Sequence, residues 1–196
     1  MSATQHAPAS ELSPRERVLA TAYDLFSRRG IRDVAISDIV EHSGVARATL
    51  YKNFKSKHEL ALAFLERREQ TWTFGTIEAE SRRRGTTPEQ RMLAIFDVFD
   101  EWFQRADFEA CSFVNVLFEM GPEHPLGVAS IVHLKNIQAM VERLAREAEL
   151  RDPAVVAASW HILMKGAIVS ATEGNLDAAR RSRAMAETLI ASHRTN

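Results

Sequence analysis

VAISDIVEHSGVARATLYKNFKSKHEL, from Val34 to Leu60, decides the fold of this chain. It reads as two short helices broken at Ser43-Gly44, followed by a third that opens at Ser56. On the second short helix Leu50 and Phe54 share one face, which can pack inward. Tyr51, Ala48 and Lys52 cluster on the other side with Arg47 at the flank, so a phenol, a small residue and cations point outward. A short basic and aromatic helix, held by a turn against another short helix, is the arrangement of a helix-turn-helix.

Within this stretch, GVARATLYKNFKSKHEL (residues 44–60) resembles the DNA-binding signature of the TetR family of bacterial transcriptional regulators, G-V-(S/A)-x-x-T-L-Y-x-x-F-x-(S/T)-K-x-x-L. The resemblance is dense from Val18 to Leu65 and weaker toward the C-terminus. EWFQRADFEACSFVNVLFE (residues 101–119) is similar to a segment of one branch of the family, with Glu109-Ala110-Cys111 where that branch has Arg-Gly-Cys. Ala35 and Ala46 stand where the family often has Ser or Thr ahead of a helix, so those helices lack side-chain caps, a loss of about 1 kcal/mol each.

The resemblance implies an all-α fold: a helix-turn-helix DNA-binding domain, then a helical ligand-binding and dimerisation domain. It implies a homodimeric repressor, not an enzyme, that binds a palindromic double-stranded operator and is released by a small molecule of unknown identity. The DNA-facing set it suggests is Ser37, Ala46, Arg47, Ala48, Thr49, Tyr51, Lys52, Asn53 and Lys57. Arg47 and Lys52 would neutralise phosphates or reach guanine edges, and Tyr51 would use its hydroxyl on phosphate or its ring on a thymine methyl. Lys57, in the first turn of its helix, would add a cation to a helix N-terminus and clamp a phosphate. Arg28, Arg29, Arg67 and Arg68 read as solvated helix surface.

At 196 residues the chain is long enough for a small domain fused to a larger one. The expected division is a flexible tail at 1–12, the DNA-binding domain at 13–58 and the ligand-binding and dimerisation domain at 59–196. Net charge is -1, which by itself says nothing of nucleic acid, but residues 28–57 hold seven Lys/Arg against three acids. A single cysteine excludes an internal disulfide framework and fits a reducing cytoplasm. No apolar run reads as a membrane span, and the first residues hold no signal-peptide core.

Helix starts are legible. Ser13-Pro14-Arg15-Glu16, Ser56-Lys57-His58-Glu59 and Thr87-Pro88-Glu89-Gln90 each place a cap three residues ahead of a capping-box acid or amide. The helix from Ser56 is expected to run toward Arg84, Asp152-Pro153 to start another, and Asn175 to cap the last. Breaks are expected at 82–88 and 121–125. No period-two alternation is sustained anywhere.

The helix from Pro153 to about Thr172 is apolar nearly all round, so it needs cover on most sides. A second copy of the chain is the expected cover, with Leu163, Gly166, Ala167, Ser170, Met185 and Leu189 at the dimer interface; ordinary packing in a monomer is the alternative.

Candidate chemistry is thin. Seven histidines form no metal-spaced pair, and no cofactor motif is present. Cys111 reads as a small buried hydrophobe. Aromatic excess suggests a mostly apolar cavity for a hydrophobic or aromatic ligand, lined from among Phe99, Trp102, Phe103, Phe113, Asn115, Trp160, His161 and Met164. Asn115 reads equally as a pocket contact or a helix-helix hydrogen bond, and His161 as a satisfied core histidine or a ligand contact. The competing function is a helical small-molecule-binding or interaction protein without DNA-binding activity.

Overall fold

The computed structural model describes residues 12–195, so all of the expected tail except Leu12 lies outside the described residues. Regular structure among the described residues is helical throughout. The chain forms two compact units, the first running to Arg67 and including Asn115–Ser130, the second comprising Arg68–Val114 and the residues from Ile131 onward.

In the first unit, α1 (Pro14–Arg29) opens with a complete capping box: Ser13 Oγ accepts from the Glu16 N–H, and the Glu16 carboxylate accepts from the Ser13 N–H. It buries Val18, Leu19, Ala22, Leu25 and Phe26. It ends at Gly30, whose φ of 80° lies in a region that L side chains rarely adopt. The helices α2 (Ile36–Ser43) and α3 (Arg47–Asn53) are joined through Gly44, left-handed at φ 61°. Neither Ala35 nor Ala46 makes a side-chain cap bond, as their methyl groups dictate. At α2 the Asp38 carboxylate partly compensates by accepting from the Ala35 N–H at 3.3 Å.

α4 (Lys57–Arg68) begins with Ser56 Oγ accepting from the Glu59 N–H, but the Glu59 carboxylate accepts from Lys55 N–H, one residue before the expected partner. Phe64 of this helix takes Tyr23 and Phe26 of α1 edge-on, at 5.4 and 5.6 Å between centroids.

The helix from Ser56 reaches Arg84 as expected, but its middle is different in kind. α4 passes into a π-helical segment, Glu69–Glu78, and then into α5 (Ala79–Arg84). Thr76 Oγ1 donates to the Thr71 carbonyl within this widened turn.

In the second unit, α6 (Pro88–Phe103) has the Thr87–Gln90 capping box in full and buries Met92, Ile95, Phe96, Phe99, Trp102 and Phe103. α7 (Ser112–Met120) and α8 (Pro125–Glu147) follow, each contributing to both units. α9 (Pro153–Thr172) and α10 (Ala178–His193) pack on each other and on α6. The breaks fall where expected, at 85–87 and 121–124.

α9 starts at Asp152-Pro153 as expected, with the Asp152 carbonyl taking the Val155 and Val156 N–H groups. Two expectations are corrected here. Asn175 does not cap α10 with its side chain; its carbonyl accepts from the Ala178 N–H, and Asp177 precedes the helix. And α9 is long and apolar enough by composition to cross a membrane. A core helix passes the same test, and its buried side carries Val156, Trp160, Met164 and Ala167.

Candidate nucleic-acid interface and body cavity

The two faces of α3 are sharply separated. Leu50 is fully buried and Phe54, just past the helix, nearly so. Arg47, Ala48, Tyr51 and Lys52 are exposed, as are Ala46 at the helix start and Ser37 on α2. The Arg47 guanidinium lies 5.9 Å from the centre of the Tyr51 ring, a cation–π distance that holds both side chains on the outward face. Thr49 and Asn53 are half-buried, and the Asn53 amide donates to the Thr49 carbonyl at 2.8 Å. These two flank the outward face more than they form it.

Lys57 is half-buried, and its ammonium donates to the Arg32 carbonyl at 3.2 Å. Burial lowers its pKa, while Glu119, Asp33 and Asp38 oppose that shift by favouring the charged form. Glu119 itself accepts from the Ile31 N–H at 3.0 Å and from the Arg32 N–H. Lys57 is thus committed to the turn between α1 and α2, as is Arg29, which bonds the Asp33 carbonyl and pairs with Asp38.

A cavity lies in the second unit. Of the expected lining, Phe99, Trp102, Phe113, His161 and Met164 face it. Phe103 and Trp160 are buried in the aromatic core beside it, Phe103 against Phe99 and Trp160 against Phe96, and do not line it. Asn115 is exposed and does not line it either, because it sits on the opposite side of α7 from Val116 and Phe113. The free space is about 30 Å³, room for about two waters, against the roughly 300–1,000 Å³ of a typical ligand pocket.

Sequence reasoning missed the polar part of the lining: Arg68, Cys111, Ser112 and Lys165. Arg68 is not solvated surface. It is buried, with its guanidinium 5.1 Å from the Trp72 ring centre and 6.0 Å from that of Trp102. The signal was present as the aromatic Trp72 four residues on, one helical turn away. Burial raises the Cys111 pKa, so the thiol stays protonated, and lowers that of His161 from 6.5 to about 4, with Lys165 adding to the effect.

A third feature lies on the outer side of α9. Val155, Ile162 and Val169 are 57%, 66% and 51% exposed, and with Gly166 they form an apolar stripe. Of the expected dimer residues, Gly166 and Met185 are exposed while Leu163, Ser170 and Leu189 are half-buried. Ala167 is buried within its own subunit and belongs to the core.

Fold and site together define an all-helical protein with an N-terminal helix-turn-helix and a helical body. Residues 18–64 match the family described as "Bacterial regulatory proteins, tetR family". The transcriptional activator FasR of Mycolicibacterium smegmatis is 31% identical over 90 residues, covering 46% of this chain and 40% of FasR. The repressor KstR2 of the same species is 28% identical over 89 residues, covering 45% of this chain and 42% of KstR2. The matches thus span about two-fifths of those relatives. The crystal structure of SCO4454, a TetR-family transcriptional regulator from Streptomyces coelicolor, shares the fold with a TM-score of 0.82 at 23% identity, over 92% of this chain and 95% of that one. The family match thus covers the N-terminal helix-turn-helix region, and the chain as a whole shares the fold of a solved TetR-family regulator.

Proposed function

We propose that this protein is a homodimeric transcriptional regulator that binds a palindromic operator through α3 and is released when a small hydrophobic or aromatic effector enters its body. The observation that carries the reading is the outward face of α3, where Arg47, Tyr51 and Lys52 are exposed over a buried Leu50. Cations on a helix of this size suit the major groove, and the exposed tyrosine offers both a hydroxyl and a ring. Dimerisation is supported by the apolar stripe on α9, continued by Met185 on α10. Repression is the reading kept for the sign of regulation, and the names of the two relatives include one activator and one repressor.

Release by an effector is a coupling between two binding events, so it is reciprocal: an effector that weakens DNA binding is itself bound less tightly by the DNA complex, by the same factor. α4 is the proposed carrier, since it starts at Lys57 beside the α1–α2 turn and ends at Arg68 on the cavity wall. Footprinting the purified protein on DNA flanking its own gene tests the proposal. A protected inverted repeat is expected, and uniform protection without sequence preference would overturn it.

A further inference from the structure

The cavity is apolar in most of its wall but not neutral. Arg68 and Lys165 both line it, no Asp or Glu does, and both cations act on the same point, the Cys111 thiol. Ser112, buried and also on the wall, has a hydroxyl with no hydrogen-bond partner. An unmade hydrogen bond at a buried hydroxyl is costly, and a wall holding two cations favours a guest that brings negative charge. The carboxylate nearest in sequence, Glu69, is turned elsewhere: it accepts from Asn136 at 2.8 Å and lies 2.9 Å from His133 Nδ1.

We propose that the cavity of the second unit receives a small monocarboxylic acid with a one-ring apolar body, its carboxylate taken by Arg68, Lys165 and the Ser112 hydroxyl. This rests on the reading of the body as an effector domain and replaces a neutral hydrophobic effector by an acid. Arg68 already has interactions within the fold, and its five N–H donors allow it to take a carboxylate as well. Its planar guanidinium, fixed against Trp72 and Trp102, is pre-oriented for a carboxylate's two oxygens. The ring of the acid meets Phe99, Phe113, Ile137, Met164 and Ile168. A single acid group is specified because the charged donors on the wall are these two cations alone, and the apolar remainder has nothing to pair a second charge. The present free space of about 30 Å³ is too small for a ring, so the wall must open. Met164, unbranched and flexible, is the side chain best able to give way.

The test is titration of the full-length protein with matched pairs, benzoate against benzamide and trans-cinnamate against cinnamamide, read by tryptophan fluorescence. The acids are expected to bind about ten-fold or more tighter than their amides, as charge-assisted hydrogen bonds require. Lys165→Met, at a half-buried position, should bring acid affinity toward the amide level, weakening the acid by a larger factor than the amide. Ser112→Ala should weaken the acid by a few-fold, and Arg68→Lys should retain part of the preference that Arg68→Met loses. Circular dichroism checks that each variant is folded. Amides binding as tightly as acids would overturn the charge assignment and leave the effector-domain reading standing. No binding by either class, in protein that still protects its operator, would overturn the inference alone. Acid preference in a protein that binds no operator would uphold the inference and remove the regulator reading.

Discussion

α3 and α9 both leave a prominent face uncovered, and the two faces are opposite in chemistry. That of α3 presents Arg47, Tyr51 and Lys52, groups that water tolerates and polyanions attract. That of α9 presents Val155, Ile162 and Val169, groups that water does not favour and that another apolar surface would cover. The first face specifies its partner by charge and hydrogen bonding, the second by shape and area. The two are therefore expected to respond to different perturbations: salt for α3, a single inserted charge for α9.

The largest effect is expected on the apolar face. Ile162→Glu places a carboxylate in the middle of the stripe, twice over in a two-fold interface, at several kcal/mol per unpaired buried charge. Sedimentation should show the dimer dissociating by at least about a hundred-fold, and Gly166→Arg, at a site with no neighbour within 4 Å in the subunit, should do the same without unfolding it. A dimer that survives both would place the interface elsewhere.

Next comes the covered side of the same helix. Because burial holds the folded pKa of His161 near 4 against 6.5, the unfolded chain takes up a proton in that window that the folded chain refuses. Stability from this group is complete above about pH 6.5 and falls as pH drops toward 4, by up to about 1.4 kcal/mol per pH unit. His161→Gln should flatten urea-melt stability across that window relative to the parent. An equally steep fall in the variant would assign the pH dependence to other groups.

Much of this was legible from the chain alone, for a physical reason. The capping boxes at Ser13 and Thr87 and the two-faced α3 are local devices, each settled within one or two helical turns, and the hydrogen bonds are those the residues announce. α9 resisted because an all-round apolar helix carries no periodic mark of which side faces its own core. Hence the sequence pattern does not tell Ala167, which is buried in its own subunit, from the exposed Val155, Ile162 and Val169. Arg68 resisted for a different reason. Arg67-Arg68 looks like surface charge because arginine is mostly a surface residue, yet Arg68 continues the buried face of α4 marked by Leu60, Ala61, Phe64 and Leu65, and its cover by Trp102 comes from a helix distant in sequence.

Two smaller effects sharpen the account of the polar face. Tyr51→Phe keeps the ring and removes the hydroxyl, and should cost on the order of 1 kcal/mol per half-site in operator titrations. No change would restrict Tyr51 to ring packing. Lys57→Ala is expected to leave the salt dependence of DNA binding unaltered, because its ammonium is held by the Arg32 carbonyl. The same variant should lower thermal stability by about 1 kcal/mol. A shallower salt slope would return Lys57 to the phosphate-binding set.

The most direct test concerns the claim that the outward face of α3 meets DNA. The Arg47→Ala and Lys52→Ala variants should be titrated against operator and scrambled duplexes at several salt concentrations. Each phosphate that a variant no longer neutralises should make the log-log salt slope shallower by about one unit, or two per symmetric dimer. If one of the two cations also reads a base, its removal should cost roughly 1–3 kcal/mol per half-site and relax preference at one base pair. Unchanged affinity and unchanged slope in both variants would contradict the account.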